Sequence, residues 1–87
     1  MAEKEIWVIG IHITDRIKDA GKIQEIFTKY GCCIKTRLGL HKANGNICSP
    51  AGLILLELTG EPAEFPKLMD ELQKVGGIEV KHMEFSD

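Results

Sequence analysis

Three histidines, three cysteines and a basic turn ahead of a helix are the groups in this chain with chemistry within reach. His12, His41 and His82 fall on three separate β-rich stretches, and Cys48 stands just before Ser49-Pro50. Imidazole nitrogen and thiolate sulfur are donors for zinc, nickel or copper, which makes His41, Cys48 and His12 the candidate metal ligands. No CxxC, HxH or HExxH spacing accompanies them, so the same histidines read equally as surface or interface residues. Cys48 beside His41 can also be read as a thiolate with its base, or as an incidental cysteine before a turn. Cys32 and Cys33 follow the helix-stopping Gly31, and alternation sends their side chains to opposite faces, one of them into the core.

The stretch from Asp15 to Gly21 offers different chemistry. A helix N-terminus exposes backbone N–H groups, and Arg16 and Lys18 add positive charge where an anionic small molecule can dock. Asp15, Arg16, Lys18 and Gly21 are therefore the candidate ligand-binding residues, with a capped helix start and solvated basic side chains as the alternative. Lys35 and Arg37 line up with His41 as a basic row, but no aromatic residues interleave them as a base-stacking platform requires. A solvated sheet edge fits that row better. Glu57 is the odd acid on an apolar strand face, and Arg37 on the neighbouring strand is its candidate partner.

These groups need elements to hold them. Glu5 to Thr14 alternates, with Trp7, Ile9, Ile11 and Ile13 on one face and Ile6, Val8, Gly10, His12 and Thr14 on the other, which predicts a first strand. Asp15 is the expected cap of a helix carrying Ala20, Ile23, Ile26, Phe27 and Tyr30 and ending at Gly31. A second strand runs from Cys32, with Ile34, Thr36, Leu38 and Leu40 sharing a face. Asn44-Gly45 and Ser49-Pro50 predict a turn longer than a two-residue hairpin. A third strand then places Ile54, Leu56 and Leu58 opposite Leu53, Leu55, Glu57 and Thr59. Phe65, Leu68, Met69, Leu72 and Val75 predict a second helix, with Pro66 tolerable only in its first turn or as a kink. The last strand changes apolar phase between Val80 and Met83, as a bulge would.

The order βαββαβ predicts an α+β fold: a ferredoxin-like sandwich whose four-stranded, antiparallel-type sheet carries two helices on one face. Right-handed crossovers put strands one and three in the centre. Both central strands are apolar on both sides, yet two helices cover only one face, so the other face needs a partner. At 87 residues the chain is one domain, 1–87, and so small a core makes oligomerisation a route to stability. Its 11 basic and 13 acidic residues, a net charge of −2, disfavour nucleic acid and anionic lipid. The odd cysteine count, the acidic MAEKEI start and the absence of a long apolar stretch point to a reducing, cytoplasmic setting without a membrane span.

The run TDRIKDAGKIQEIFTKYGCCIKTRLGLH resembles the strand, Asp-containing turn, helix and second strand of ACT-type small-molecule-sensing domains, with three extra residues between Asp15-Arg16 and Gly21-Lys22-Ile23. RLGLH, CSPAGLILLELTG and VGGIEVKHMEF together resemble the iron-only hydrogenase system regulators. That family is itself similar to the C-terminal nickel-binding domain of nickel-responsive repressors, which is ACT-like and tetrameric. The resemblance implies an ACT-like fold and a possible transition metal at His41 and Cys48, one candidate each for the repressor's His-x-His pair and cysteine. It implies no direct nucleic-acid contact, because Met1 leaves no room for a ribbon-helix-helix segment before the first strand. The expected function is a non-enzymatic, homo-oligomeric regulatory or small-ligand-sensing domain, dimeric or tetrameric, linked to hydrogenase systems. Metal binding through His and Cys is the alternative.

Overall fold

The computed structural model describes residues 5–14, 18–44 and 47–86, with backbone alone at residues 20, 40–44 and 47–51. Its elements are β1 (Glu5–Ile13), α1 (Ala20–Lys29), β2 (Ile34–Asn44), β3 (Ile47–Leu58), α2 (Phe65–Gln73) and β4 (Ile78–Ser86). The four strands form one antiparallel sheet in the order β2-β3-β1-β4. With both helices packed on one face, this is the ferredoxin-like α+β fold.

Alternation in the central strands decides which face the helices take. Ile9, Ile11 and Leu56 are fully buried, Trp7 and Leu58 nearly so, and they meet Ile23, Ile26 and Phe27 of α1 and Phe65, Leu68 and Leu72 of α2. Trp7 lies 5.6 Å from Phe65, ring centre to ring centre, and its indole nitrogen is buried without a hydrogen-bond acceptor. Pro66 sits in the first turn of α2, where its missing N–H has no helical partner to lose. Gly60 and Gly77 have φ near 88° and 85°, the left-handed region that a side chain disfavours, and they turn the chain out of β3 and into β4.

Four local expectations are corrected. The cap of α1 is Asp19, whose carboxylate accepts from the Lys22 N–H at 3.2 Å, and the helix starts only at Ala20; Asp15 lies outside the described residues. Gly31–Cys33 form a 3-10 turn ahead of β2, which leaves Cys33 buried and Cys32 exposed. β2 and β3 pair out to Asn44 and Ile47, well into the stretch expected as a long turn. Between the pairs His41–Gly52 and Ala43–Cys48, β3 carries the surplus residues, and this irregularity accommodates Pro50, which has no N–H for the ladder. β4 pairs with β1 without interruption from Ser86 to Ile78, so its change of apolar phase is no bulge.

β1 accompanies β3 only as far as Gly52, so β2 and β3 run on beyond the sheet as a two-stranded arm. The described chain is accordingly long, 51 × 23 × 18 Å. The helix-side core sets its stability. Leu72→Ala, which empties a fully buried site, is expected to lower unfolding free energy by about 2–5 kcal/mol in urea titration. Leu53→Ala on the far face is expected to cost the isolated fold less than about 1 kcal/mol.

Candidate functional site

Face assignments for β1 and β3 follow simple alternation, but β2 does not. Ile34 pairs with Leu58 and Thr36 with Glu57, so Lys35 is an extra residue and the alternation slips. Beyond it, Thr36 and Leu38 point away from the helices while Arg37 turns toward them. The Arg37 guanidinium lies 4.7 Å from the Phe27 ring centre, a cation–π contact. The proposed row of Lys35, Arg37 and His41 is therefore broken, and Glu57 is not the partner of Arg37. Glu57 instead accepts from Thr36 Oγ1 at 3.1 Å and lies 3.7 Å from Lys35 Nζ.

The phase change in β4 has a matching cause. Ile78 and Val80 pack against the helix-side core, but His82 and Glu84 continue on that face at its rim, where His82 stacks on Trp7 at 4.4 Å. Met83 and Phe85 consequently turn to the other face. The register there sets out rows: Ile6 beside Phe85; then Thr36, Glu57, Val8 and Met83; then Leu38, Leu55, Gly10 and Lys81; then Leu53, His12 and Glu79. All four large exposed hydrophobics of the described residues stand in these rows: Leu38 (51% exposed), Leu53 (37%), Met83 (56%) and Phe85 (51%). Ile6, Val8 and Leu55 between them are half-buried. Large apolar side chains gathered on a water-facing sheet mark a docking surface in physical terms.

The expected ligand turn is only partly described. Asp15 and Arg16 lie outside the described residues. Lys18 donates its backbone N–H to Gly76 O at 3.0 Å, and Thr14 donates both its hydroxyl, at 2.6 Å, and its N–H, at 3.3 Å, to Gly77 O. Gly21 follows the cap, and a Cβ there would stand 3.4 Å from the Asp19 carboxylate. The turn is thus laced to the glycine pair before β4, and a carboxylate of the chain itself occupies the start of α1.

Of the candidate metal ligands, His12 lies on the open face with its Nδ1 3.9 Å from Glu79. By backbone register His41 is opposite Gly52, and Cys48 is opposite Ala43 on the arm; their side chains are outside the described residues. Among the described residues no three His, Cys, Asp or Glu side chains gather as a metal site.

Sequence reasoning missed a cleft between the C-terminal end of α1 and the start of α2. It is an open depression of about 420 Å³ lined by Lys29, Tyr30, Cys32, Cys33, Glu64 and Lys67. Both lysines are paired, Lys29 with Glu71 at 3.0 Å and Lys67 with Glu64 at 3.1 Å. Tyr30 also donates its hydroxyl to Glu71, which raises the phenol to about 12 and holds the carboxyl below its usual range. Burial pushes the Cys33 thiol up, away from reactivity. Only amphipathic periodicity brings the end of α1 and the turn after it against the start of α2, and no motif announces the contact.

Compared with protein-family models the chain matches none, and compared with curated proteins it matches none. Among solved structures it is similar to an uncharacterized protein from Thermotoga maritima. That match has TM-score 0.77 and 20% identity, over 97% of this chain and 99% of the other. It is also similar to a functionally unknown protein from Pediococcus pentosaceus, with TM-score 0.55 and 19% identity over 97% and 94% of the two chains. These likenesses show the class, a small ferredoxin-like α+β fold. No helix among the described residues is long and apolar enough to cross a membrane.

The Tyr30–Glu71 contact has a readable signature, because Tyr30 is the sole tyrosine of the sequence. Its absorbance at 295 nm is expected to titrate at about 12 in the folded chain, and Glu71→Gln is expected to bring it back toward the ordinary 10.0. A phenol raised on folding favours the folded state up to about pH 10, and that contribution is lost as pH climbs through about 12. The lowered Glu71 carboxyl acts in the opposite range, its contribution present above the unfolded pKa and lost as pH falls through the folded one.

Proposed function

We propose that this chain is a non-enzymatic regulatory domain that senses a small ligand and works as a homo-oligomer through the open face of its sheet. The observation that carries the reading is that Leu38, Leu53, Met83 and Phe85 converge on one face with Ile6, Val8 and Leu55. Four strands about 4.8 Å apart and about 30 Å long give a flat footprint of roughly 550 Å² before side-chain relief is added. That is the scale of a standard interface, about 800 Å² per partner.

A second copy is the occupant that supplies an equally apolar sheet. The sensing part rests on the ACT-like sequence resemblance, and the tie to iron-only hydrogenase systems on the resemblance of RLGLH, CSPAGLILLELTG and VGGIEVKHMEF. A ligand would regulate by preferring one assembly state over another, since only differential affinity shifts an equilibrium.

Native mass spectrometry of the full chain at micromolar concentration is expected to show an assembly and any ligand or metal retained with it. Met83→Asp combined with Phe85→Asp is expected to give single chains with unchanged far-UV circular dichroism. A wild-type chain that stays single removes the oligomer. In a thermal-shift screen against amino acids, nucleotides and metal ions, a true ligand at about 100 times its Kd is expected to raise Tm on the order of 10 °C. A screen without any rise removes the sensing role.

A further inference from the structure

The open face is not uniformly apolar, and its pattern restricts how two copies can meet. Apolar side chains fill two diagonally opposite quarters, Leu38 with Leu53 on β2 and β3, and Met83 with Phe85 on β4. Leu55 and Val8 lie between them, on the line joining the two quarters. The remaining quarters are polar: Glu57 with Thr36 in one, Lys81 with His12 and Glu79 in the other.

Two copies stacked face to face are related by a two-fold axis lying in the plane between them. An axis parallel to the strands sets Glu57 over Val8 and Lys81 over Leu38. An axis perpendicular to the strands sets Glu57 over Leu55 and Lys81 over Met83. Either choice buries charge against aliphatic side chains. An axis along the polar diagonal puts apolar quarter on apolar quarter, but it also sets Glu57 against its own copy and Lys81 over His12.

We infer that two copies pack with their two-fold axis along the apolar diagonal, so that each Glu57 lies over Gly10 and beside Lys81 of the other copy. This inference rests on the self-association proposed above and adds its geometry. Leu55 and Val8 then lie on the axis and meet themselves, and both apolar quarters stay covered. Gly10 presents no side chain of its own to the incoming carboxylate, and a Leu55 methyl stands 3.6 Å from where its Cβ would be. Glu57 and Lys81 each have an acid or base within their own chain, Lys35 at 3.7 Å and Glu79 at 3.9 Å, so neither charge is stranded when the copies part. The strands of the two sheets cross at a large angle, as in orthogonal sheet packings.

Charge exchange tests the arrangement, with sedimentation equilibrium on the full chain as the readout. Glu57→Lys sets lysine against lysine twice per dimer and Lys81→Glu sets acid against acid, and each is expected to raise the dimer Kd about tenfold or more. The double variant restores both contacts with reversed sign and is expected to return to within about threefold of wild type. Loss of the Lys35 pair is common to E57K and the double variant, so recovery isolates the contact between copies. If the wild type associates but the double variant is no tighter than the singles, the diagonal axis is overturned and self-association stands. If the wild type stays single even at 100 µM, the association beneath the inference is overturned as well.

Discussion

Two helices cannot cover both sides of a four-stranded sheet, and most of this structure follows from that shortage. α1 and α2 take the face where Trp7, Ile9, Ile11, Leu56 and Leu58 converge, and they close it almost completely. The opposite face uses the same central strands, which place Ile6, Val8, Leu53 and Leu55 there beside Glu57 and His12. Burying one side of β1 and β3 therefore leaves apolar surface in water on the other. The edge strands extend that surface, β2 with Leu38 and β4 with Met83 and Phe85. Surface ion pairs around the rim add little to stability by comparison, since both members of most pairs are well exposed.

The central strands were legible because their alternation is strict, and each side chain stands on the face that a period of two assigns. The edge strands were legible only in part. A single extra residue, Lys35, reverses every later position of β2, which moves Arg37 onto Phe27 and separates it from Glu57. In β4 the pairing is regular, and the apolar residues change sides because the helix layer ends near Trp7. The apolar pattern of β4 alone does not distinguish that case from a bulge, since both break the period at the same residue. The α1 cap was ambiguous for a similar reason: Asp15 and Asp19 both precede the helical pattern, and only the start at Ala20 selects Asp19.

The candidate chemistry divides along the same line between local and long-range signals. That one of Cys32 and Cys33 enters the core and that Pro66 suits a first turn were foreseeable from near neighbours, but it is the 3-10 turn, and not alternation, that selects Cys33. The shared carboxylate of Glu71, serving Lys29 and Tyr30, joins residues more than forty positions apart in sequence and depends on how α1 lies against α2. Its effect is to fix the two helices' relative position with one acceptor and two donors. A hydrogen bond to a charged group contributes more than a neutral one, and here it sits at the edge of the core. By register Cys48 belongs to the arm formed by β2 and β3, and His41 stands at the base of that arm opposite Gly52.

The lacing between Lys18 and Gly76, and between Thr14 and Gly77, joins the exit of β1 to the entrance of β4. Both strands contribute to the open face, β1 through Val8 and Gly10 and β4 through Lys81, Met83 and Phe85. A molecule docking at the β1–α1 turn would therefore act at the point where the two strands are fastened together. Under the proposed sensing role, moving Gly77 changes where Ile78 enters the sheet, and the uninterrupted register of β4 carries that change to Lys81 and Met83. An edge strand is the part of a sheet freest to shift, because only one neighbour holds it. The pair of strands that the turn fastens is thus also the pair that presents half of the surface through which a second copy would bind.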